Sequence, residues 1–315
     1  MSQIELLTIG DSSIDQYMKV EDDAADELGG EICFIHGSKI PVESFETSIA
    51  GNALNVSVGT TKLGISTHLY TEIGDDQNAQ RIMDELKHLK IGTEFCIRNK
   101  GTLTDVHPIV VYKKDRTIFI YHAKREYEIR DWPKPQWIYY SSVGKYFENF
   151  QNKLVKYVNA NPSIGVAFNP GTYHIKSGLE GIKNFLEATD ILFLNKEETV
   201  QLVGEGNVDE LHMKLQELGP KLTVITQGAQ GASANDGKTT ISLPVFEEDS
   251  NVADKTGAGD AFSAGFLSAI INKRSLKEAL TWGLINSSGV IRKVGAINGL
   301  RTKSEIEALV NKYER

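Results

Sequence analysis

Short apolar runs ending in small or polar residues recur along the chain, and most are separated by stretches with apolar positions three and four apart. IELLTIG (Ile4 to Gly10) reads as a buried opening strand and is followed by the turn GDSSID. NALNVSVGTTKLG carries Leu54, Val58 and Leu63 at near-helical spacing; THLYTEIG reads as a strand and AQRIMDELKHLK as an amphipathic helix. In the second half QWIYYSS, IGVAFNP, DILFLN and LTVITQG are strand-like runs, with helical patterns between most of them. Such alternation predicts an α/β architecture, a mainly parallel sheet with helices on both faces. Ligands of these sheets gather at the carboxyl ends of the strands. Gly10, Asn169, Asn195 and Gly228 fall at such ends.

Two regions break the rhythm. ICFIHGSKIPVESFETSI (Ile32 to Ile49) mixes β-branched and aromatic residues around a Gly-Ser turn, which predicts a hairpin. VHPIVVYKKDRTIFIY (Val106 to Tyr121) has two strand-like runs around a charged turn, a second hairpin. The acidic stretch Glu21 to Asp26 reads as a loop. The hairpins are expected to form a small separate sheet. No Pro/Gly/Ser-rich linker marks a boundary, so residues 1–315 are expected to form one domain.

Composition narrows the class. The 315 residues are 40% hydrophobic, enough for a substantial core, and no run approaches the roughly 20 apolar residues of a membrane helix. MSQIELLTIG lacks a basic leader, and Cys33 and Cys96 are too few for a disulfide scaffold, so a reducing cytoplasm is the expected compartment. A net charge of −8 argues against a nucleic-acid partner. An anionic ligand is still compatible, through helix N-termini, a metal ion or a few basic side chains.

The candidate chemistry lies in DKTGAGDAF, Asp254 to Phe262, ahead of a helical apolar run. One reading is a helix start, with glycines for a tight turn and an acid favoured by the helix dipole. The other is chemical. Gly257, Ala258 and Gly259 would present backbone N–H groups to an anion, and Asp260 would accept a proton from a nucleophile attacking it. Phosphoryl transfer needs both parts.

DKTGAGDAFSAGF closely resembles the C-terminal signature D-x-T-G-A-G-D-x-F of the ribokinase-like (PfkB) family of carbohydrate and nucleoside kinases. The resemblance implies a three-layer fold with a mainly parallel central sheet and a small β-sheet lid, here at about 15–49 and 104–123. It implies that Gly257, Ala258 and Gly259 form an anion hole and that Asp260 is the catalytic base. SIAGNALNVSVGTTKLG resembles the N-terminal signature, with Ala50 in place of the first glycine of a Gly-Gly pair and with Gly51 and Asn55 kept. If that position needs positive φ, Ala50 would crowd the sugar. GDSSID resembles the first-strand turn whose aspartate grips substrate hydroxyls; Asp15 is the match and Asp11 the competing candidate. LNKEE resembles the N-x-x-E element, which implies that Asn195 and Glu198 support Mg²⁺ and the triphosphate, Glu198 through water; helix capping would explain the pair equally well. TQGAQG matches a turn at the nucleotide phosphates, which brings in Thr226, Gly228 and Gly231, and INSSGVIRKVGAINGL places Asn286 where it can touch the nucleotide. Asp254 and Thr256 match two ligand positions for a monovalent cation such as K⁺.

The implied partners are ATP and a small sugar or nucleoside, with a homodimer formed through the lid. Ribose or a ribonucleoside is placed ahead of a hexose or keto-sugar. A phosphorylated sugar becomes the reading if Lys39, Lys124 or Arg125 faces inward; otherwise these are solvated lid charges. Phe34, Phe45, Phe119 and Tyr121 could stack on a base, though their strand spacing favours packing. A sensor without catalysis on the same scaffold is the competing class. A dinucleotide oxidoreductase is disfavoured because no G-x-G-x-x-G follows the first strand.

Overall fold

The central layer is a sheet of eight strands. In the computed structural model, which describes residues 4–113, 115–130, 132, 134–246 and 252–313, these strands are β1 (Leu6–Ile9), β6 (Thr67–Tyr70), β11 (Trp137–Tyr140), β12 (Gly165–Phe168), β13 (Ile191–Asn195), β14 (Leu222–Thr226), β15 (Ala232–Asn235) and β16 (Thr240–Leu243). Their spatial order is β16-β15-β14-β13-β12-β11-β1-β6. From β6 to β14 every pairing is parallel, and β15 and β16 add an antiparallel edge. The parallel part rests on crossover helices, as the alternation predicts.

Successive side chains of these strands point to opposite faces, and both faces are buried. On one side Leu7, Ile9, Ile138, Tyr140, Leu192 and Leu194 pack against α3 (Phe147–Asn159), α4 (Thr172–Lys176), α5 (Gly178–Leu186), α6 (Lys196–Val203) and α7 (Val208–Gln216). On the other, Leu6, Tyr139, Ile191 and Phe193 meet α1 (Asn52–Lys62), α8 (Ala258–Ile271), α9 (Leu276–Val290) and α10 (Lys303–Tyr313). The result is three layers. α8 is apolar nearly all round and buried from Asp260 to Ala269, because it lies between the sheet, α1 and α9. No helix among the described residues is long and apolar enough to cross a membrane.

A second sheet has the order β10-β9-β2-β5, built from β2 (Ser13–Val20), β5 (Val42–Ala50), β9 (Asp105–Tyr112) and β10 (Asp115–Ile118). The expected second hairpin is present as β9 and β10; Lys114, in its turn, lies outside the described residues. The expected first hairpin differs. β4 (Glu31–Cys33) turns back on β3 (Asp26–Leu28), and β5 pairs along its length with β2. The strand that begins inside GDSSID offers β5 a longer antiparallel partner than the exposed β4 segment can. Asp15 therefore sits in a strand rather than in the turn. α2 (Gln77–His88) holds the sheet from beneath, where Arg81 Nη1 and Nη2 donate to Thr47 Oγ1 and O. A two-residue pair, β7 (Glu72–Ile73) with β8 (Ile97–Arg98), completes the strands.

Candidate active site

The site begins where α8 begins. Gly257 caps the helix with φ 75°, a left-handed conformation that glycine adopts without strain, and a Cβ there would lie 2.5 Å from Ala296 Cβ. The loop before it is tied to Asp254, whose Oδ1 accepts from the Thr256 amide (2.9 Å) and hydroxyl (2.7 Å) and whose Oδ2 accepts from the Gly295 amide (3.0 Å). Burial pushes the Asp254 carboxyl up, but the Thr256 and Gly295 donors and the Arg116 charge outweigh it and hold the group below the usual carboxylate range. The first helical residues, Ala258 and Gly259, open with Gly257 on a cavity of about 190 Å³ shared with Asn195, Glu198 and Asp260. This 14-residue helix has no side-chain cap, and although the Ala258 amide donates to Lys255 O at 3.3 Å, such a helix start is an anion-binding surface.

Asp260 projects into this cavity from the first turn and is 8% exposed. Burial pushes its carboxyl up to about 7; the hydrogen bond from Asn55 opposes this and the charge of Asp15 adds to it. Asn55 Nδ2, from α1, donates to Asp260 Oδ2 at 2.8 Å. A carboxyl poised near neutrality in a cleft has the protonation behaviour of a general base.

Beyond Asn55 lies a buried polar wall. Gly51 precedes α1 at φ 123°, and a Cβ there would meet the Asp11 carbonyl oxygen at 2.2 Å, so the chain passes where only glycine fits. Ala50 is paired with Ser13 in the sheet and lies outside the positive-φ residues, so alanine fits its backbone. Asp15 Oδ1 lies 3.1 Å from His107 Nδ1, and the Tyr17 hydroxyl donates to Asp15 Oδ2 at 3.3 Å. Asp11 accepts from the Tyr127 hydroxyl at 2.6 Å, and burial pushes its carboxyl up to about 6, with His122 opposing. Burial pulls the His122 imidazole down, yet the bond to Asp105 (2.6 Å) and the Asp11 charge outweigh it and raise the group above its ordinary value. Asp11, Asp105 and His122 are close enough to hold a metal ion, but Arg125 already pairs with Asp105 and supplies positive charge to the cluster. Several polar atoms along this wall are buried without a hydrogen-bond partner, namely Ser12 Oγ, Asn55 Oδ1, His107 Nε2 and Asp11 Oδ2, the last 3.7 Å from His122 Nδ1. Orphaned polar atoms at such density point to a polar ligand.

The residues expected to meet a nucleotide lie on the other flank of Asp260. Thr226, Gly228 and Gly231, with Leu284 and Ser288, line a largely apolar cavity of about 490 Å³ that continues from Ala258 and Gly259. Asn286, expected beside them, is not: it is 0% exposed, its Nδ2 donates to Ala261 O and its Oδ1 accepts from the Arg301 amide. Its neighbours Ser287 and Ser288 face the cavity instead. Asn195 and Glu198 form a reciprocal cap on α6, Asn195 Oδ1 accepting from the Glu198 amide (2.7 Å) and Glu198 Oε2 from the Asn195 amide (3.0 Å). Both also line the 190 Å³ cavity at the start of α8, and burial raises the Glu198 carboxyl. The capping and binding readings are therefore compatible, since the cap uses only one carboxylate oxygen. A larger hollow of about 590 Å³ opens at the amino ends of the strands, by Trp137, Gly165 and Asp190, away from all of these groups.

Among the cavity residues that carried no expectation are Asn52 and Lys255, the latter bordering both cavities from within the signature itself. The basic residues of the small sheet divide. Lys39 is exposed, Lys124 lies over the Tyr146 ring at 5.4 Å, and Arg125 is buried with Nη1 on Asp105 and Nη2 donating to Leu103 O at 2.7 Å. Phe34, Phe45, Phe119 and Tyr121 are 41–57% exposed, not packed as their spacing suggests. Phe45 lies in β5, Phe34 directly follows β4, and Phe119 and Tyr121 follow β10.

The chain is similar to known proteins in sequence and in fold. The family description "pfkB family carbohydrate kinase" matches residues 3–303. An ATP-dependent 6-phosphofructokinase of Thermoanaerobacterium thermosaccharolyticum is 25% identical over 305 residues, which cover 89% of each chain. The crystal structure of Methanocaldococcus jannaschii nucleoside kinase superposes with a TM-score of 0.79 at 22% identity, over 99% of this chain and 100% of that one. Arabidopsis thaliana ribokinase complexed with ribose and ATP gives 0.80 at 19% identity, over 98% and 99%.

Proposed function

Because the chain belongs to the pfkB family of carbohydrate kinases, we propose that it transfers the γ-phosphoryl group of ATP to a hydroxymethyl group of a sugar or nucleoside, with ribose or a ribonucleoside first. The observation that carries this is the convergence on Asp260. An anion-binding helix start and an apolar cavity lie on one side, and a wall of unpartnered buried polar atoms lies on the other. Asp15, Gly51 and Asn55 hold the acceptor's hydroxyls. Asp260 takes the proton of the attacking hydroxyl as its oxygen bonds to the γ-phosphorus. The bond to the β–γ bridging oxygen breaks and ADP leaves. The amides of Gly257, Ala258 and Gly259 stabilise charge on the equatorial oxygens. Glu198, through water, and Asn195 would hold Mg²⁺ carried with ATP, which would neutralise phosphate charge, and Thr226, Gly228 and Gly231 are assigned to the phosphates and nucleoside.

An unphosphorylated acceptor is favoured over a sugar phosphate, although one relative is a phosphofructokinase. Of the three basic candidates, two are at the surface and Arg125 is spent on Asp105. The segments at about 15–49 and 104–123 are assigned as a lid that excludes water from activated ATP. The lid's exposed Phe45, Ile118, Phe119 and Ile120 are the proposed contact of a homodimer. The deciding experiment is ADP release with Mg·ATP over a panel of pentoses, hexoses, sugar phosphates and nucleosides. Turnover with ribose or ribonucleosides is expected. Turnover confined to sugar phosphates would reverse the substrate assignment, and none with any acceptor would remove the kinase reading.

A further inference from the structure

Arg116 leaves β10, at the edge of the small sheet, and reaches the loop in front of α8, where its Nη1 lies 3.1 Å from Asp254 Oδ1. Asp254 is only 8% exposed at its side chain and Arg116 28%, so the pair is shielded from bulk water. The remaining donors to this carboxylate, from Thr256 and Gly295, are neutral. Thr256 adjoins Gly257, so the carboxylate that receives Arg116 also fixes the turn from which the anion-binding amides project. Tyr17, from β2, approaches the same loop, its hydroxyl kept protonated by burial and by the charges of Asp15 and Asp254. Two side chains of the small sheet thus meet the phosphate-side loop.

Asp254 and Thr256 were the residues expected to hold a monovalent cation. The fit fails as built, because a cation binding to Asp254 Oδ1 would have to displace a guanidinium. An arginine is always charged at ordinary pH and, unlike a bound K⁺, cannot diffuse away. We propose that Arg116 is a positioning residue that serves as the built-in counter-cation of the Asp254–Gly257 loop, making the enzyme independent of monovalent cations and coupling lid position to the shape of the anion-binding turn. The inference rests on the kinase reading for its effect on turnover, while its effect on the loop stands apart from it.

The test compares the native chain, Arg116→Ala and Arg116→Lys in KCl and in tetramethylammonium chloride at matched ionic strength, by turnover and by melting temperature. The native chain is expected to turn over within about twofold of the same rate in both salts and to melt at the same temperature. Arg116→Ala is expected to lose at least about tenfold in kcat in tetramethylammonium, to recover most of it in K⁺, and to melt higher in K⁺. Arg116→Lys, which keeps a charge, is expected to retain most of the native rate and its indifference to K⁺. K⁺ activation of the native chain beyond about twofold, or an Arg116→Ala variant that responds to neither salt, overturns the proposal. Melting needs no turnover, so if no acceptor is phosphorylated the kinase reading fails while the salt response of Arg116→Ala still decides this one.

Discussion

At the scale of single residues, the proposed base has two pH signatures. Burial carries Asp260 up to about 7, and the proposed reaction needs it ionised, so kcat/KM is expected to fall as pH drops through about 7 in a steady-state profile. The stability sign is opposite. A carboxyl whose folded pKa lies above its unfolded value of 3.8 contributes stability fully present below that unfolded value and lost as pH rises through about 7. Asp260→Asn, which carries no charge, should therefore be more stable than the native chain at pH 8, by about 1–3 kcal/mol in urea unfolding, with the gap narrowing toward pH 5. A native chain more stable than the variant at pH 8 would contradict the burial account. Asp260 was legible from nine consecutive residues. The cluster of Asp11, Asp105 and His122 was not: the three are far apart in sequence, and the pairing of β2 with β9 and the Val106–Tyr121 bridge bring them together. Asn286 misled in the other direction, because a motif position gives no direction for the side chain, and here the amide is spent bracing α8 against the 299–301 turn.

At the scale of elements, the start of α8 is where local conformation and chemistry coincide. Gly257→Ala places a Cβ in a left-handed conformation and within 2.5 Å of Ala296 Cβ, so a destabilisation of about 1–3 kcal/mol is expected. The same displacement misaims the amides, so kcat should fall at least about tenfold even in the folded fraction. Gly259→Ala is the control: a Cβ there meets nothing within 4 Å, and stability should change little. Equal destabilisation of both variants would refute the packing account. The large parallel strands were legible because each is short, apolar and closed by a polar residue at the site end. The small sheet was harder to read. β10 is mostly exposed and β5 is exposed from Val42 to Glu46, and strand segments without a buried face carry little information about their partner. The sequence therefore points β5 to the segment nearest to it along the chain and not to β2.

At the scale of the whole molecule, the phosphate-side cavities lie against the main layers, and the polar wall is completed by the small sheet, so the proposed reaction needs both sheets in register. The apolar face of the small sheet leads to a quantitative expectation: native protein should elute as a dimer in light scattering, and Phe119→Glu should shift it toward monomer with little loss of melting temperature. A native monomer would remove the assigned contact without touching the site. The account's central claim is that a helix-mouth anion site and a proton-accepting carboxylate work on one phosphoryl group. Its most direct measurement is Asp260→Asn with Mg·ATP and an acceptor that the native chain phosphorylates, followed in parallel by ADP release and by nucleotide-induced thermal stabilisation. The account predicts kcat lowered by at least about a thousandfold with the stabilisation by nucleotide unchanged. Turnover within about tenfold of the native rate, at undiminished nucleotide binding, would contradict it.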